Sequence, residues 1–304
     1  MPLTLSNFLI HYNIPIQSVY KRGGWKKLCF EAGKINYFDE TNESQIVKAI
    51  NNKWLSTSCF NYFSFVIKLA RNNFSYDEKI LSENEKTMLV MLHYDIWQAE
   101  GGFVNLYDSI QSIGKNKILC DEIIEVLEYL INKIDFIEKD IELPYQQPLK
   151  LHGRYTRDQI LSAFRLNTFD SKPLNRIGLA ENKELKTEIL FIDLIKSEED
   201  FSPTTLYNDY AINEKLFHWQ TQNKTRPDIG RGVSYINHEN DKKIILLFIR
   251  EKAKDEFGNT MGYVFVGDGT FKDYYGSKPM SITWELSEPI PNYLWKDSAK
   301  LAVG

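Results

Sequence analysis

The sequence predicts an α+β protein, with an all-helical N-terminal domain followed by a β-rich domain built on a twisted sheet or partly open barrel. Three observations carry this. Apolar residues recur at helical spacing through residues 1–140, most cleanly over 121–134, where Ile123, Ile124, Leu127, Leu130, Ile131 and Ile134 share one face. Past Glu142-Leu-Pro-Tyr-Gln-Gln-Pro148 that periodicity stops, and short apolar runs punctuated by Gly and Pro take over. A chain of 304 residues is also long enough for two domains with separate cores. The boundary segment therefore divides the chain into residues 1–145 and 146–304.

In the first domain, Ser6 is a candidate cap for a short helix carrying Phe8, Leu9 and Ile10. Gly23-Gly24 breaks the chain before Trp25, Leu28, Cys29 and Phe30, and helical patterns return over 43–55 and 60–69. Ser82-Glu-Asn-Glu85 has the capping-box form ahead of Met88, Leu89, Met91 and Leu92. In the second domain, Thr156-Arg-Asp-Gln159 repeats that form and opens a short helix to Phe164. Strand-like runs follow at 189–195, 243–250, 262–266 and 280–286, with Gly267-Asp-Gly269 read as a hairpin turn.

Composition is that of a soluble globular protein, 43% apolar and 26% charged, with a net charge of -4. Lys+Arg against Asp+Glu is 15 to 19 up to residue 145 and 22 to 22 beyond it, so any contact with nucleic acid rests on a local basic patch. Cys29, Cys59 and Cys120 are widely spaced, which suits a reduced compartment and no disulfide frame. No signal peptide and no apolar run of membrane-spanning length is found, and a cytoplasmic location is expected.

Motifs for catalysis are missing. There is no phosphate-binding loop, since Gly114-Lys115 lacks the upstream Gly and the following hydroxyl, and no Gly-x-Ser-x-Gly elbow. None of His11, His93, His152, His218 or His238 is followed by Lys two residues on, as a phospholipase-D-type nuclease needs. Cysteine spacing fits no zinc site. Neither a catalytic residue, a metal site nor a cofactor is expected.

The segment Ser202–Asn223 instead concentrates Tyr207, Tyr210, Asp209, His218, Trp219, Gln220 and Gln222. Flat rings with directional donors and acceptors suit a planar polar ligand such as a nucleobase. Strand alternation over 216–222 puts Leu216, His218, Gln220 and Gln222 on one face and Phe217, Trp219 and Thr221 on the other. The polar set reads as ligand-facing and Trp219 as core. Tyr207 and Asp209 alternate in the same way with Asn208 and Tyr210, so the four line one pocket only if a bulge or turn intervenes.

Several motifs resemble a known family in order. Pro148-Leu-Lys-Leu-His-Gly-Arg-Tyr-Thr-Arg-Asp-Gln-Ile-Leu-Ser-Ala-Phe164 resembles the opening of a domain at the C-terminal end of multidomain restriction proteins. Phe201-Ser-Pro-Thr-Thr-Leu-Tyr-Asn-Asp-Tyr-Ala-Ile-Asn213 and Leu216-Phe-His-Trp-Gln-Thr-Gln-Asn223 resemble its central motifs. Ser234-Tyr-Ile-Asn-His238, Leu246-Leu-Phe-Ile-Arg-Glu251 and Lys278-Pro-Met-Ser-Ile-Thr-Trp284 continue it. In the helical half, Leu5-Ser-Asn-Phe-Leu-Ile-His-Tyr12, Tyr20-Lys-Arg-Gly-Gly-Trp-Lys-Lys-Leu-Cys29 and Met91-Leu-His-Tyr-Asp-Ile-Trp97 resemble the segment preceding that domain. The proteins concerned are SauUSI-type (Type IV) restriction enzymes, which carry a phospholipase-D-like nuclease and a helicase-type ATPase and cut DNA containing 5-methylcytosine or 5-hydroxymethylcytosine.

The resemblance implies a non-catalytic, SRA-like reader that flips the modified cytosine out of double-stranded DNA. It implies partners in the nuclease and ATPase domains of a parent protein, whose motifs this chain lacks. For that task Tyr207 and Tyr210, or Trp219, are candidate stacking walls, and Asp209 is the acceptor for the exocyclic amine. Thr204, Thr205, His218, Gln220 and Gln222 are candidate base-edge or phosphate contacts. Tyr155, Arg157 and Arg231 complete the DNA-binding set, Arg231 being flanked by Gly230 and Gly232 so that backbone can approach phosphate. Two other classes compete: an enzyme using Asp209 and His218 as an acid–base pair, and an interaction module coupling an ATPase to partner subunits.

Overall fold

The structure, a computed structural model, describes residues 3–98, 102–175, 177–195 and 209–295. Two compact units emerge, one of residues 1–138, 143–173 and 256–262 and the other of residues 139–142, 174–255 and 263–304. The segment 146–173, grouped with the β-rich half on sequence grounds, thus packs with the helices.

The first unit contains α1 (Leu5–Tyr12), α2 (Ile16–Tyr20), α3 (Trp25–Glu31), α4 (Glu43–Asn52), α5 (Phe60–Arg71), α6 (Glu83–Ile96), α7 (Leu106–Ile113), α8 (Lys117–Ile131), β1 (Arg154–Tyr155) and α9 (Arg157–Ala163). Both capping boxes form: Ser82 with Glu85 opens α6 and Thr156 with Gln159 opens α9. The cap of α1 is Thr4, whose hydroxyl accepts from the Asn7 amide at 3.2 Å, so Ser6 lies inside the helix instead of capping it.

Two buried carboxylates organise this unit. Glu122 accepts from the Tyr20 hydroxyl at 2.8 Å and from the Trp25 and Lys26 amides at 2.7 and 3.1 Å. It thereby satisfies the first amides of α3, whose cap residue Gly24 has no side chain to offer. A Cβ on Gly24 would lie 2.7 Å from Glu122 Oε1, and the residue sits at φ 96, so glycine is required twice over. Asp95 Oδ2 accepts from Trp54 Nε1, the Tyr62 hydroxyl and Gln159 Nε2, each at 2.8 Å, tying α5, α6 and α9 together. Burial pushes both carboxyls above their ordinary range, against the pull of these donors.

The second unit contains β2 (Leu179–Asn182), β3 (Thr187–Asp193), β4 (Tyr210–Ala211), β5 (Leu216–Gln220), α10 (Arg231–Ile236), β6 (Ile244–Arg250), β7 (Tyr263–Tyr275) and β8 (Ser281–Leu286). These strands form an open mixed sheet in the order β2-β3-β6-β7-β8-β5-β4, and not a closed barrel. Only β3 and β6 are parallel among these pairs; both are almost wholly buried and have apolar centres, as a pair covered on both faces must be. The core gathers Leu190, Ile192, Leu247, Ile249, Phe217, Trp219, Tyr235 and Trp284.

β7 differs most from expectation. Gly267-Asp-Gly269 is not a turn; it lies within this 13-residue strand, where Gly267 pairs with Leu247 and Gly269 with Leu286. Register shifts in the β6–β7 ladder between Leu247 and Phe248, and in the β7–β8 ladder between Phe271 and Asp273. Bulges of this kind bend a strand and re-aim its side chains, so one strand is shared along its length by two partners. The chain reverses instead through residues 276–280, with Gly276 at φ 75.

Candidate functional site

The ladder of β4, β5, β8 and the end of β7 sorts side chains onto two faces. Phe217 opposes Trp284 and Trp219 opposes Ile282, and these fill the core. Trp219 meets Tyr235 edge-on, with centroids 5.4 Å apart at 89°. The other face carries His218 opposite both Tyr210 and Thr283, and Gln220 opposite Ser281. The alternation expected over 216–220 is therefore the alternation found.

Tyr210 and His218 stack, with ring centroids 4.6 Å apart and planes 16° from parallel. Asp209, just before β4, is buried and its Oδ1 accepts from the Gln220 amide at 2.8 Å. The carboxylate thus fastens the entry of β4 to the end of β5. Asp209, Tyr210, His218 and Gln220, drawn from two separate motifs, come together at one end of the sheet.

Sequence reasoning missed a fifth member. Tyr275 is 63% exposed, its hydroxyl is 3.2 Å from His218 Nε2, and its ring is inclined at 30° with centroids 5.9 Å apart. The bulge explains its position. Phe271 pairs with Trp284 and faces the core, yet Asp273 pairs with Thr283 and Tyr275 with Ser281, on the face of His218. Lys272 is the extra residue that switches the odd-numbered positions from one face to the other. No local sequence signal marks that switch.

His238 holds the backbone at this point. Its Nε2 accepts from the Phe271 amide at 3.0 Å, which leaves Nδ1 to carry the proton and donate to the Lys243 carbonyl at 2.9 Å.

The other predicted residues are dispersed. Gln222 is exposed in the loop after β5, where its carbonyl accepts from the Thr225 amide at 2.9 Å. Arg231 opens α10, with Nε 3.8 Å from Oε1 of the fully buried Glu188. Glu188 also accepts the Tyr235 hydroxyl at 2.8 Å and pairs with Lys243 at 2.5 Å. Tyr155 and Arg157 belong to the first unit. Tyr155 is buried there with its hydroxyl between the Lys150 amide and carbonyl, at 2.9 and 3.3 Å, which makes it a packing residue and not a surface for ligand. Arg157 is half-buried at the start of α9. Thr204, Thr205 and Tyr207 lie outside the described residues.

Among the described residues, no group of three or more His, Cys, Asp or Glu side chains is placed to hold a metal ion. None of their helices is long and apolar enough to cross a membrane.

No curated protein matches the chain. Among solved structures it is similar to the crystal structure of Arabidopsis thaliana SUVH6 in complex with SAM, at 9% identity and a TM-score of 0.33. That similarity covers 84% of this chain and 41% of the SUVH6 chain, so the chain spans well under half of that structure's length. Residues 149–298, which take in the whole sheet together with the Thr156 capping box and α9, match the family model described as "Domain of unknown function (DUF3427)".

Proposed function

We propose that this chain is a non-catalytic DNA-recognition region that reads 5-methylcytosine or 5-hydroxymethylcytosine in double-stranded DNA. It takes the modified base out of the helix in the SRA manner, as part of a modification-dependent (Type IV) restriction enzyme. Cutting and ATP hydrolysis belong, on this reading, to nuclease and helicase-type ATPase domains of the parent protein. The observation that carries it is the meeting of Asp209, Tyr210, His218 and Gln220 on one end of the sheet. A stacked aromatic pair beside a carboxylate and an amide is the inventory that recognition of a flipped cytosine calls for. The motifs around these residues are also those in which the chain resembles SauUSI-type enzymes.

The methyl group itself adds little. Burying one carbon is worth roughly 1 kcal/mol, so discrimination against plain cytosine needs a further element, such as a clash or a displaced water. Fluorescence anisotropy with one duplex carrying cytosine, 5-methylcytosine or 5-hydroxymethylcytosine tests the reading at near-physiological salt. Preference for a modified duplex is expected. Equal affinity for all three leaves a general DNA grip, and absence of binding moves the chain to the coupling-module class. That second reading draws support from α1, where Ile10 is 70% and Tyr12 60% exposed, apolar surface of the kind used in docking.

A further inference from the structure

We propose that Tyr275 is a base-stacking residue: its ring forms the outer wall on which an unpaired nucleobase stacks, backed by His218 and Tyr210. This rests on the reading of the chain as a modified-DNA reader and adds to it a contact that the sequence motifs do not contain.

Three features converge on it. First, the ring is exposed and yet fixed. Its hydroxyl is bonded to His218 Nε2 at 3.2 Å and its ring is inclined at 30° over the imidazole, which holds the ring from one side, while 63% of the residue stays exposed. His218 is itself 3% exposed and stacked on Tyr210, so the support behind Tyr275 is rigid. A ring already ordered loses less entropy when a base settles on it than a freely rotating one.

Second, the placement depends on a backbone irregularity. The bulge at Lys272 brings Tyr275 to the face of His218, and His238 bonds the Phe271 amide where the bulge begins. In a regular continuation of the strand from Phe271, Tyr275 would fall on the core side. Bulges that re-aim one side chain recur next to functional sites.

Third, the turn that follows the ring and the loop that follows β5 carry exposed cations. The turn after Tyr275 carries Lys278, and the loop after β5 carries Lys224, both exposed. The Lys278 amide donates to the Thr225 carbonyl at 3.0 Å, so the two loops are joined. An exposed aromatic ring with lysines on the turn that follows it and on the loop joined to that turn matches the composition of sites that grip a single nucleotide and its phosphates.

The test compares wild type, Tyr275→Ala and Tyr275→Phe on two probes: a duplex with one 5-methylcytosine, and a single-stranded oligonucleotide of the same sequence. Loss of one stacking contact predicts a roughly ten-fold weaker Kd for Tyr275→Ala on both probes, with Tyr275→Phe within about three-fold of wild type. Tyr275 is exposed, so both variants are expected to keep the wild-type melting temperature within about 2 °C. Equal loss in the two variants would overturn the proposal, because the hydroxyl and not the ring would then matter. No loss in either would overturn it as well, leaving the reader function intact. If wild type ignores the methyl group but Tyr275→Ala alone weakens the single strand, stacking stands and the modified-base reading fails. If wild type binds neither probe, both are wrong.

Discussion

The imidazole of His218 lies 4.6 Å from the ring of Tyr210, nearly parallel to it, and the two are direct cross-strand partners in β4 and β5. Register alone brings them together: a partner pair shares one face of a ladder. The same register places Ala211 opposite Phe217 and turns that pair into the core. A slip of one residue would turn the polar ring toward the core and the apolar one to the opposite face. The contact is therefore specified by the whole edge of the sheet, and whatever fixes the edge fixes the site.

Asp209 is what fixes it. Its carboxylate accepts the Gln220 amide at 2.8 Å from a buried position. Replacing it with Ala strands that amide, at a cost of about 1–3 kcal/mol. Asp209→Asn keeps an acceptor and should stay within about 1 kcal/mol of wild type in urea unfolding. The two variants separate clamp from ligand. If the carboxylate also receives the cytosine amine, Asp209→Asn folds normally but loses preference for the modified duplex. Retention of that preference in Asp209→Asn would reduce Asp209 to a structural clamp.

The pair formed by Glu188 and Lys243 is the most demanding charge arrangement in the second unit. Glu188 is fully buried and also accepts from Tyr235, while Lys243 has a second partner in Glu181 at 2.9 Å. Removing one partner of a buried pair leaves the other uncompensated and costs about 3–5 kcal/mol. Lys243→Met is expected to show that loss in chemical denaturation. The double variant Glu188→Met/Lys243→Met should recover most of it, since two apolar side chains of similar length leave no buried charge. A double variant as unstable as the single would show that the Tyr235 and Arg231 contacts, and not the ion pair, hold this corner.

In the first unit, His93 sets part of the pH dependence. Burial depresses its pKa from 6.5 to about 4, and its Nδ1 lies 3.0 Å from the Ser109 hydroxyl. The unfolded chain binds this proton more readily than the folded one between those values. The contribution of the neutral histidine is therefore full above about 6.5 and is lost as the pH drops toward 4. The buried carboxyls of Asp95 and Glu122 and the half-buried one of Glu138 are raised by desolvation and act in the opposite sense, losing stability as pH rises through their folded values. The difference between wild type and His93→Gln isolates the histidine. Urea midpoints measured from pH 7 to pH 4.5 should fall less steeply for His93→Gln. Parallel curves would place the acid sensitivity elsewhere.

What could be read from the sequence was whatever is encoded locally. The capping boxes at Ser82 and Thr156 are four-residue patterns with one geometric solution, and both form. The alternation of Leu216–Gln220 is likewise local, so the separation of His218 and Gln220 from Phe217 and Trp219 could be foreseen. Tyr275 could not. Its face depends on an extra residue at position 272 and on the pairing of β7 with a strand not yet reached in the sequence. Gly267-Asp-Gly269 misled for the same reason: a turn signature and a bent strand interior have the same composition, and only the long-range partners Leu247 and Leu286 decide between them. Tyr155, placed in the DNA-binding set on sequence grounds, is buried with its hydroxyl closing a loop on Lys150, a contact that no local pattern announces.

The glycines around Arg231 offer a last discrimination. Sequence alone gives both the same purpose, close approach of backbone to phosphate. In the structure they differ. A Cβ on Gly232 would lie 1.8 Å from the Arg226 carbonyl oxygen and 2.8 Å from Met280 Sδ, so the start of α10 is packed hard against the preceding loop. A Cβ on Gly230 would meet nothing within 4 Å, although its φ of 60 is one that side chains avoid. Gly232→Ala must therefore push α10 off the loop and should cost about 3 kcal/mol, the upper end of overpacking. Gly230→Ala carries only backbone strain, about 1–2 kcal/mol. Because Arg231 stands between them, the two variants also probe the phosphate role. Gly230→Ala leaves α10 seated and should bind DNA as wild type does, while Gly232→Ala displaces Arg231 and should weaken binding and flatten its salt dependence by about one counterion. Equal salt slopes for both variants and wild type would remove Arg231 from the DNA-contacting set.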